Sequence, residues 1–222
     1  MTTKIWLSWS SGKDSAWTLH KLRESPEFEV TALLTTINRD AGRVAMHAVR
    51  ETLLDAQASA AALPLVKVPI PAKCSNADYE CAMGAAMSQA RACGISHVAF
   101  GDLFLADIRK YREEKMQAIG MTPLFPVWGH ETRGLAREMI AHGMRAYLTC
   151  VDPRQLDPRF AGREFDTQLL EELPPGVDAC GENGEFHSFA FAGPMFSSPL
   201  HVTPGEIVER DGFVFADLDS AP

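Results

Sequence analysis

The sequence predicts an α/β fold: five parallel strands between two layers of helices, followed by a small α+β appendage. Three observations predict it. Short apolar runs alternate with helical periodicities through the first two-thirds of the chain. The helical stretches between them are long enough for right-handed crossovers, which parallel neighbours require. The last third then changes to strands that alternate in polarity, as antiparallel strands do.

The elements follow in order. Residues 4–9 are a short apolar run ending in a Ser/Gly cluster. Residues 13–23 place Ala16, Trp17, Leu19 and Leu22 at helical spacing. Residues 29–37, rich in Val, Thr and Leu, read as a buried strand. After a turn at 38–42, residues 44–58 read as a helix. Residues 65–70 are a strand closed by Pro71. Residues 76–93 are a long helix with Gly94 in the position of a C-cap. Residues 97–100 form a strand closed by Gly101 and Asp102, and 106–119 a helix ending at Gly120. Residues 122–127 are extended around two prolines. Residues 131–142 are helical with Gly143 behind them, and 145–151 are a strand ended by Asp152-Pro153. In the last third, 166–173 form a short helix broken by Pro174-Pro175-Gly176. Residues 186–191 and 207–215 read as antiparallel strands, and the tail 217–222 as frayed.

The composition narrows the classes of function. Of 222 residues, 46% are hydrophobic and 23% charged, as in a soluble globular protein. The longest apolar stretches, 30–34 and 60–65, are far too short to span a bilayer. The amino end lacks the pattern of a signal peptide, so a cytoplasmic location is expected. The net charge of −8 and the lack of a basic cluster disfavour a nucleic-acid partner. The five cysteines are odd in number and include no C-x-x-C pair. That argues against a zinc ribbon or a disulfide framework and for reduced thiols.

The segment Ser10-Ser11-Gly12-Lys13-Asp14-Ser15 sits between the first strand and the first helix. Ligands of a parallel sheet bind beyond the carboxyl ends of its strands. A helix there offers unpaired N–H groups and partial positive charge. Small residues let the backbone wrap an anion, the serines add hydroxyls, and Lys13 adds a full charge. Asp14 could cap the helix or help to hold Mg²⁺. A Walker A loop fails at two positions, because Leu7 stands at its first Gly and Asp14 at its Ser or Thr. A plain Ser/Gly turn with an Asp cap is the other reading.

The hexapeptide resembles the S-G-G-x-D-S signature of PP-loop ATP pyrophosphatases, with Ser11 at the first Gly. The resemblance implies an adenine nucleotide α-hydrolase-like, Rossmann-like fold and cleavage of ATP at the α-phosphate. The Ser is harmless there if it need not adopt a positive φ. A second cluster, Cys180-Gly181-Glu182-Asn183-Gly184-Glu185-Phe186-His187-Ser188, is similar to the C-G-E-G-G-E-[FY]-E-T block of the diphthine–ammonia ligase family. Without the loop it would read equally well as a polar hairpin turn. Asn183, His187 and Ser188 depart from the block. Gly101-Asp102 and residues 123–128 also resemble that family.

This resemblance implies an ATP-dependent ligase. A substrate carboxylate attacks the α-phosphorus and releases pyrophosphate, and ammonia then displaces AMP. Lys13, Asp14, Glu182, Glu185 and His187 are the expected catalytic residues, with Glu182 and Glu185 binding ammonium or accepting its proton. Ser10, Ser11, Gly12, Lys13, Asp14, Ser15, Gly101 and Asp102 are expected to meet the nucleotide. Thr36, near the end of the second strand, and His47, on the second helix, are weaker candidates. Asp14 and Asp102 are expected to hold Mg²⁺, although Asp102 reads equally well as a helix cap. Arg109, Arg112 and Glu113 could reach a carboxylate, but read first as a surface charge pattern. Trp6, Trp9 and Trp17 are assigned to core packing. Residues 1–155 are expected to bind ATP and 156–222 to form a substrate-binding subdomain; folds of the resembled family often pair through such an appendage, and a homodimer is one of the states the sequence leaves open. The partners implied are ATP, a carboxylate substrate and a source of ammonia. A tRNA-modifying PP-loop enzyme and a non-catalytic nucleotide sensor are the competing readings.

Overall fold

The computed structural model describes residues 2–39, 43, 44, 49–71 and 73–220. In chain order its elements are β1 (Thr3–Ser8), α1 (Lys13–Glu24), β2 (Phe28–Asn38), β3 (Arg43–Val44), α2 (Glu51–Ala60), β4 (Leu65–Ile70), α3 (Asn76–Ala92), β5 (His97–Ala99), α4 (Ala106–Ala118), β6 (Thr122–Leu124), α5 (Thr132–Ala141) and β7 (Arg145–Val151). A 3₁₀ turn (Pro158–Phe160), α6 (Thr167–Glu172), β8 (Phe186–Ala192), β9 (Val202–Arg210) and β10 (Phe213–Ser220) complete it.

The parallel sheet runs β4-β2-β1-β5-β6, five strands among the described residues, as the alternation predicts. The two-residue β3 adds an antiparallel pairing at the end of β2. Successive side chains on a strand face opposite ways, and β1 shows the result. Ile5 and Leu7 enter one core with residues of α1, α2, α5, β7 and β8. Trp6 enters a second core under α3 and α4. The central strand is therefore apolar on both faces, as a strand covered by helices must be.

The chain leaves β1 in one direction, to β2 and β4, then returns to the other side for β5 and β6. Strand order reverses between β1 and β5. A crevice opens at such a point beyond the carboxyl ends of the strands. The loop after β1 and the Gly101-Asp102 turn after β5 flank it.

The second sheet is antiparallel, in the order β8-β7-β10-β9. Residues 145–151 thus belong to this sheet, where β7 pairs with β8 and β10. Three other sequence expectations change. The predicted strand 207–215 is a hairpin, β9 and β10, turning at Asp211 (φ 53°) and Gly212 (φ 79°). Asp-Gly is the pair that a tight hairpin turn favours, because both residues need positive φ. The tail does not fray at 217, because Leu218 is buried and Ser220 still pairs with Val202. The second helix begins at Glu51, while Val44 pairs with Ile37.

Candidate active site

The loop after β1 closes on itself before α1 begins. Ser15 Oγ donates to the Gly12 carbonyl at 2.9 Å and lies 3.2 Å from Ser10 Oγ. The N-cap of α1 is Gly12, which has no side chain with which to cap the helix. The loop is anchored from behind by Gln57, which is fully buried. Its Nε2 donates to the carbonyls of Ser11 (2.9 Å) and Ala190 (2.6 Å), and its Oε1 accepts from Trp9 Nε1 (3.0 Å). The backbone N–H of Ala190 also donates to Ser11 O, and that of Lys13 donates to Ser188 Oγ at 3.2 Å. The bend is thus tied to α2 and β8 at once.

Ser11 takes φ +70° and is fully buried. The proviso attached to this position therefore fails: Ser stands where the backbone favours glycine. Its hydroxyl has no hydrogen-bond partner among the described residues.

Lys13 is 1% exposed. Its ammonium donates to both Asp14 oxygens at 2.9 Å and to the Cys180 carbonyl. It also lies 5.4 Å from the ring centroids of Phe165 and Phe186. Burial, the largest single influence, disfavours the ammonium, but Asp14, Cys180 and Glu182 together outweigh it and raise the lysine pKa. Lys13 is a fixed positive charge at the mouth of α1.

These groups line a cavity of about 260 Å³ together with Gly101, Asp102, Glu182 and His187. Gly101 lets the β5 turn approach α1: a Cβ there would lie 3.0 Å from the Asp14 carbonyl carbon and from Thr18 Oγ1. Glu182 Oε1 accepts from the Leu103 N–H at 2.8 Å. Burial, with Asp14 and Asp102 nearby, pushes the Glu182 carboxyl up to about 7 although the Leu103 bond opposes it. The His187 imidazole is pushed down to about 4, by burial and then by Lys13, and is neutral at pH 7.

The structure brings Ser10, Lys13, Asp14, Ser15, Gly101, Asp102, Glu182 and His187 to one cavity. Ser11 and Gly12 shape the loop but do not line that cavity. Glu185 does not line it either. It is 2% exposed, and its carboxylate accepts from Asp178 N, Asn183 N and Asn183 Nδ2 at 2.9–3.0 Å. Those bonds hold the 178–185 turn that presents Glu182. Thr36 lies on β2 beside Val68 of β4, away from the cavity. His47 lies outside the described residues.

Among the described residues no three His, Cys, Asp or Glu side chains converge as a protein-only metal cage. Mg²⁺ does not need one, because it takes one or two carboxylates and completes its shell with water and phosphate oxygens. Asp14 and Asp102 are hard oxygen donors on the same cavity. Asp102 Oδ2 lies 2.7 Å from Arg112 Nε without hydrogen-bond geometry, so that oxygen lacks an aligned donor. The donor set fits the ion.

Sequence reasoning missed Gln57 and the anchoring role of Ser188, and favoured surface charge over a carboxylate contact for Arg112. A signal existed for Gln57: it falls on the buried stripe of Leu53, Leu54 and Ala58, where a polar residue needs partners. None existed for Arg112, since its partner Asp102 is ten residues away on another element. Trp6, Trp9 and Trp17 are buried, as assigned. Among the described residues no helix is long and apolar enough to cross a membrane.

Comparison with known proteins agrees with this layout. The family model for the diphthamide synthase N-terminal domain matches residues 3–123, and that for the C-terminal domain matches residues 131–218. Proteins named diphthine–ammonia ligase from Homo sapiens and Mus musculus are 31% and 32% identical over 120 residues, 51% of this chain and 45% of theirs. One from Danio rerio is 31% identical over 120 residues, 47% of its length. The chain spans about half the length of the curated relatives it matches. With both family models aligned along an α/β sheet that carries the loop and the Glu182 turn, the chain belongs to the diphthamide synthase family of the PP-loop superfamily.

Proposed function

We propose that this protein is an ATP-dependent carboxylate–ammonia ligase that forms AMP and pyrophosphate. The observation that carries the reading is one cavity holding a buried Lys13, paired with a half-buried Asp14, at the start of α1 and a carboxyl, Glu182, poised near pH 7. The relatives named diphthine–ammonia ligase support the same chemistry.

ATP is a substrate in this scheme. A cavity of about 260 Å³ suits its phosphates rather than the whole nucleotide. First-turn amides of α1 beyond that of Lys13, the Ser10 and Ser15 hydroxyls and the Lys13 ammonium hold the β- and γ-phosphates. Mg²⁺, when bound by Asp14 and Asp102, supplies further neutralisation of phosphate charge. The substrate carboxylate displaces pyrophosphate from the α-phosphorus. Ammonia then attacks the acyl carbon and AMP leaves with the C–O electron pair. The nitrogen loses a proton in that step, and Glu182 accepts it, oriented by the Leu103 N–H. His187, being neutral, orients the acyl group without repelling an ammonium. Pairing of two copies through the carboxyl-terminal sheet belongs to the same proposal.

The test is product analysis with ATP, Mg²⁺, ammonium and a panel of carboxylic acids. Continuous release of pyrophosphate and AMP should require acid and ammonium together, acid alone should give no more than a single-turnover burst of pyrophosphate, and Lys13→Ala should abolish both. ADP as the sole nucleotide product would overturn the reading.

A further inference from the structure

Phe100 and Arg112 each face two cavities. Besides the reaction cavity, they line a groove of about 230 Å³ between α3 and α4. Tyr79, Met83, Gly84 and Met87 of α3 and Met116 of α4 form much of its wall. Glu80 and Lys115 pair across it at 2.5 Å.

Three features mark the groove as built to hold something. Gly84 sits in the middle of a 17-residue helix, where glycine costs about 1 kcal/mol relative to alanine. Helical backbone does not require it, and a Cβ there would meet nothing within 4 Å. No packing among the described residues accounts for that glycine; space does. Met83, Met87 and Met116 line it, and their flexible, polarizable side chains adapt to apolar ligands. Where the two cavities share these residues, the Arg112 guanidinium rests 4.4 Å from the Phe100 ring centroid. Its Nε lacks an acceptor in hydrogen-bond geometry among the described residues, although Asp102 lies beside it. A carboxylate arriving from the groove would meet the guanidinium's positive charge there, in exchange for the bond that Nη2 donates to Asp102 Oδ1 at 3.1 Å. Mg²⁺ on Asp102 would loosen the existing pair at the same time.

We propose that this groove binds the apolar stem of the substrate acid and that Arg112 receives its carboxylate at the entrance to the reaction cavity. The substrate class is then a carboxylate carried on an extended apolar chain. This deepens the ligase reading and rests on it for the word substrate; the groove itself can be tested without turnover.

The probe is octanoate, with acetate and octylammonium as controls. In protein labelled with ¹³C at the methionine methyls, octanoate should shift Met83, Met87 and Met116. Acetate at the same concentration should not. Octylammonium, lacking the carboxylate, should bind about tenfold more weakly or worse. Gly84→Leu fills the groove from an unstrained helical position, so it should raise Tm and erase the octanoate shifts. Absent shifts, or shifts that survive Gly84→Leu in a folded protein, overturn the groove. In turnover, octanoate should support pyrophosphate release with a KM at least about tenfold below that of acetate, from the burial of its methylenes. Shifts without release by any acid would sink the ligase reading and leave the groove standing. Equal release from acetate and octanoate without shifts would do the reverse.

Discussion

At Ser11 a single backbone angle sets the cost of the phosphate loop. A non-glycine residue at φ +70° loses about 1–2 kcal/mol, and its buried hydroxyl lacks a partner among the described residues. Ser11→Gly is expected to stabilise the protein by about 1–2 kcal/mol in urea unfolding, with nucleotide affinity unchanged. A destabilised variant would show that the hydroxyl has a role the fold does not reveal. Glu182 carries the pH dependence. Its folded pKa of about 7 lies above the ordinary 4.5, so the folded state keeps this proton to higher pH than the unfolded chain. The stabilisation from that proton is complete below 4.5 and is lost as pH rises through 7. Tm should therefore fall between pH 5 and pH 8 more steeply in wild type than in Glu182→Gln. Amide formation should rise through pH 7 in wild type and lose that limb in the variant. Parallel Tm curves would refute the assignment. Glu185 shows why the two acids could not be told apart in sequence. Both lie in one Gly-rich turn, and only the fold turns one toward the cavity and the other into backbone N–H groups.

At the scale of elements, the amino end of α1 is held by parts far away in sequence. α2 supplies Gln57, β8 supplies Ser188 and Ala190, and the β5 turn supplies Gly101. Gln57→Leu would leave the Trp9 indole N–H and the Ala190 carbonyl without their Gln57 bonds inside the core. A loss of about 3 kcal/mol is expected, read by denaturant midpoint at constant m-value. A loss under 1 kcal/mol would mean that water replaces the amide. Gly101→Ala acts differently. Its methyl must push the turn from α1, which should weaken nucleotide binding about tenfold or more, while the protein stays folded. Calorimetric titration with ATP and Mg²⁺ measures it, and unchanged affinity would show that the turn can give. Most of these elements were legible in the sequence, because apolar period separates strand from helix. The misread stretch, 207–215, contained its own correction in Asp211-Gly212.

For the molecule as a whole, the larger core decides how it unfolds. One cluster of buried residues runs from Ile5 and Leu7 through α1 and α5 to β7, β8 and β10. The parallel sheet and the antiparallel sheet therefore share their interior. A single cooperative transition is expected, with coincident urea curves from far-UV circular dichroism and tryptophan fluorescence. Separate midpoints would mean that the sheets unfold independently. The reaction cavity spans the same junction, with Lys13 from one side and Glu182 and His187 from the other. Loss of either sheet would remove the site.

The sequence by itself determined the periodicities, the Ser/Gly loop at a strand-to-helix junction and the Gly-Glu turn, because these depend on residues close along the chain. Tertiary structure alone decided which acid faces the cavity, that Gln57 and Ser188 hold the loop, and that residues 145–151 pair in the second sheet. It also decided that Arg112 meets Asp102 and lines both cavities. The physical reason is that burial and hydrogen-bond partnership across elements are set by how the sheets pack, and no local pattern encodes that distance.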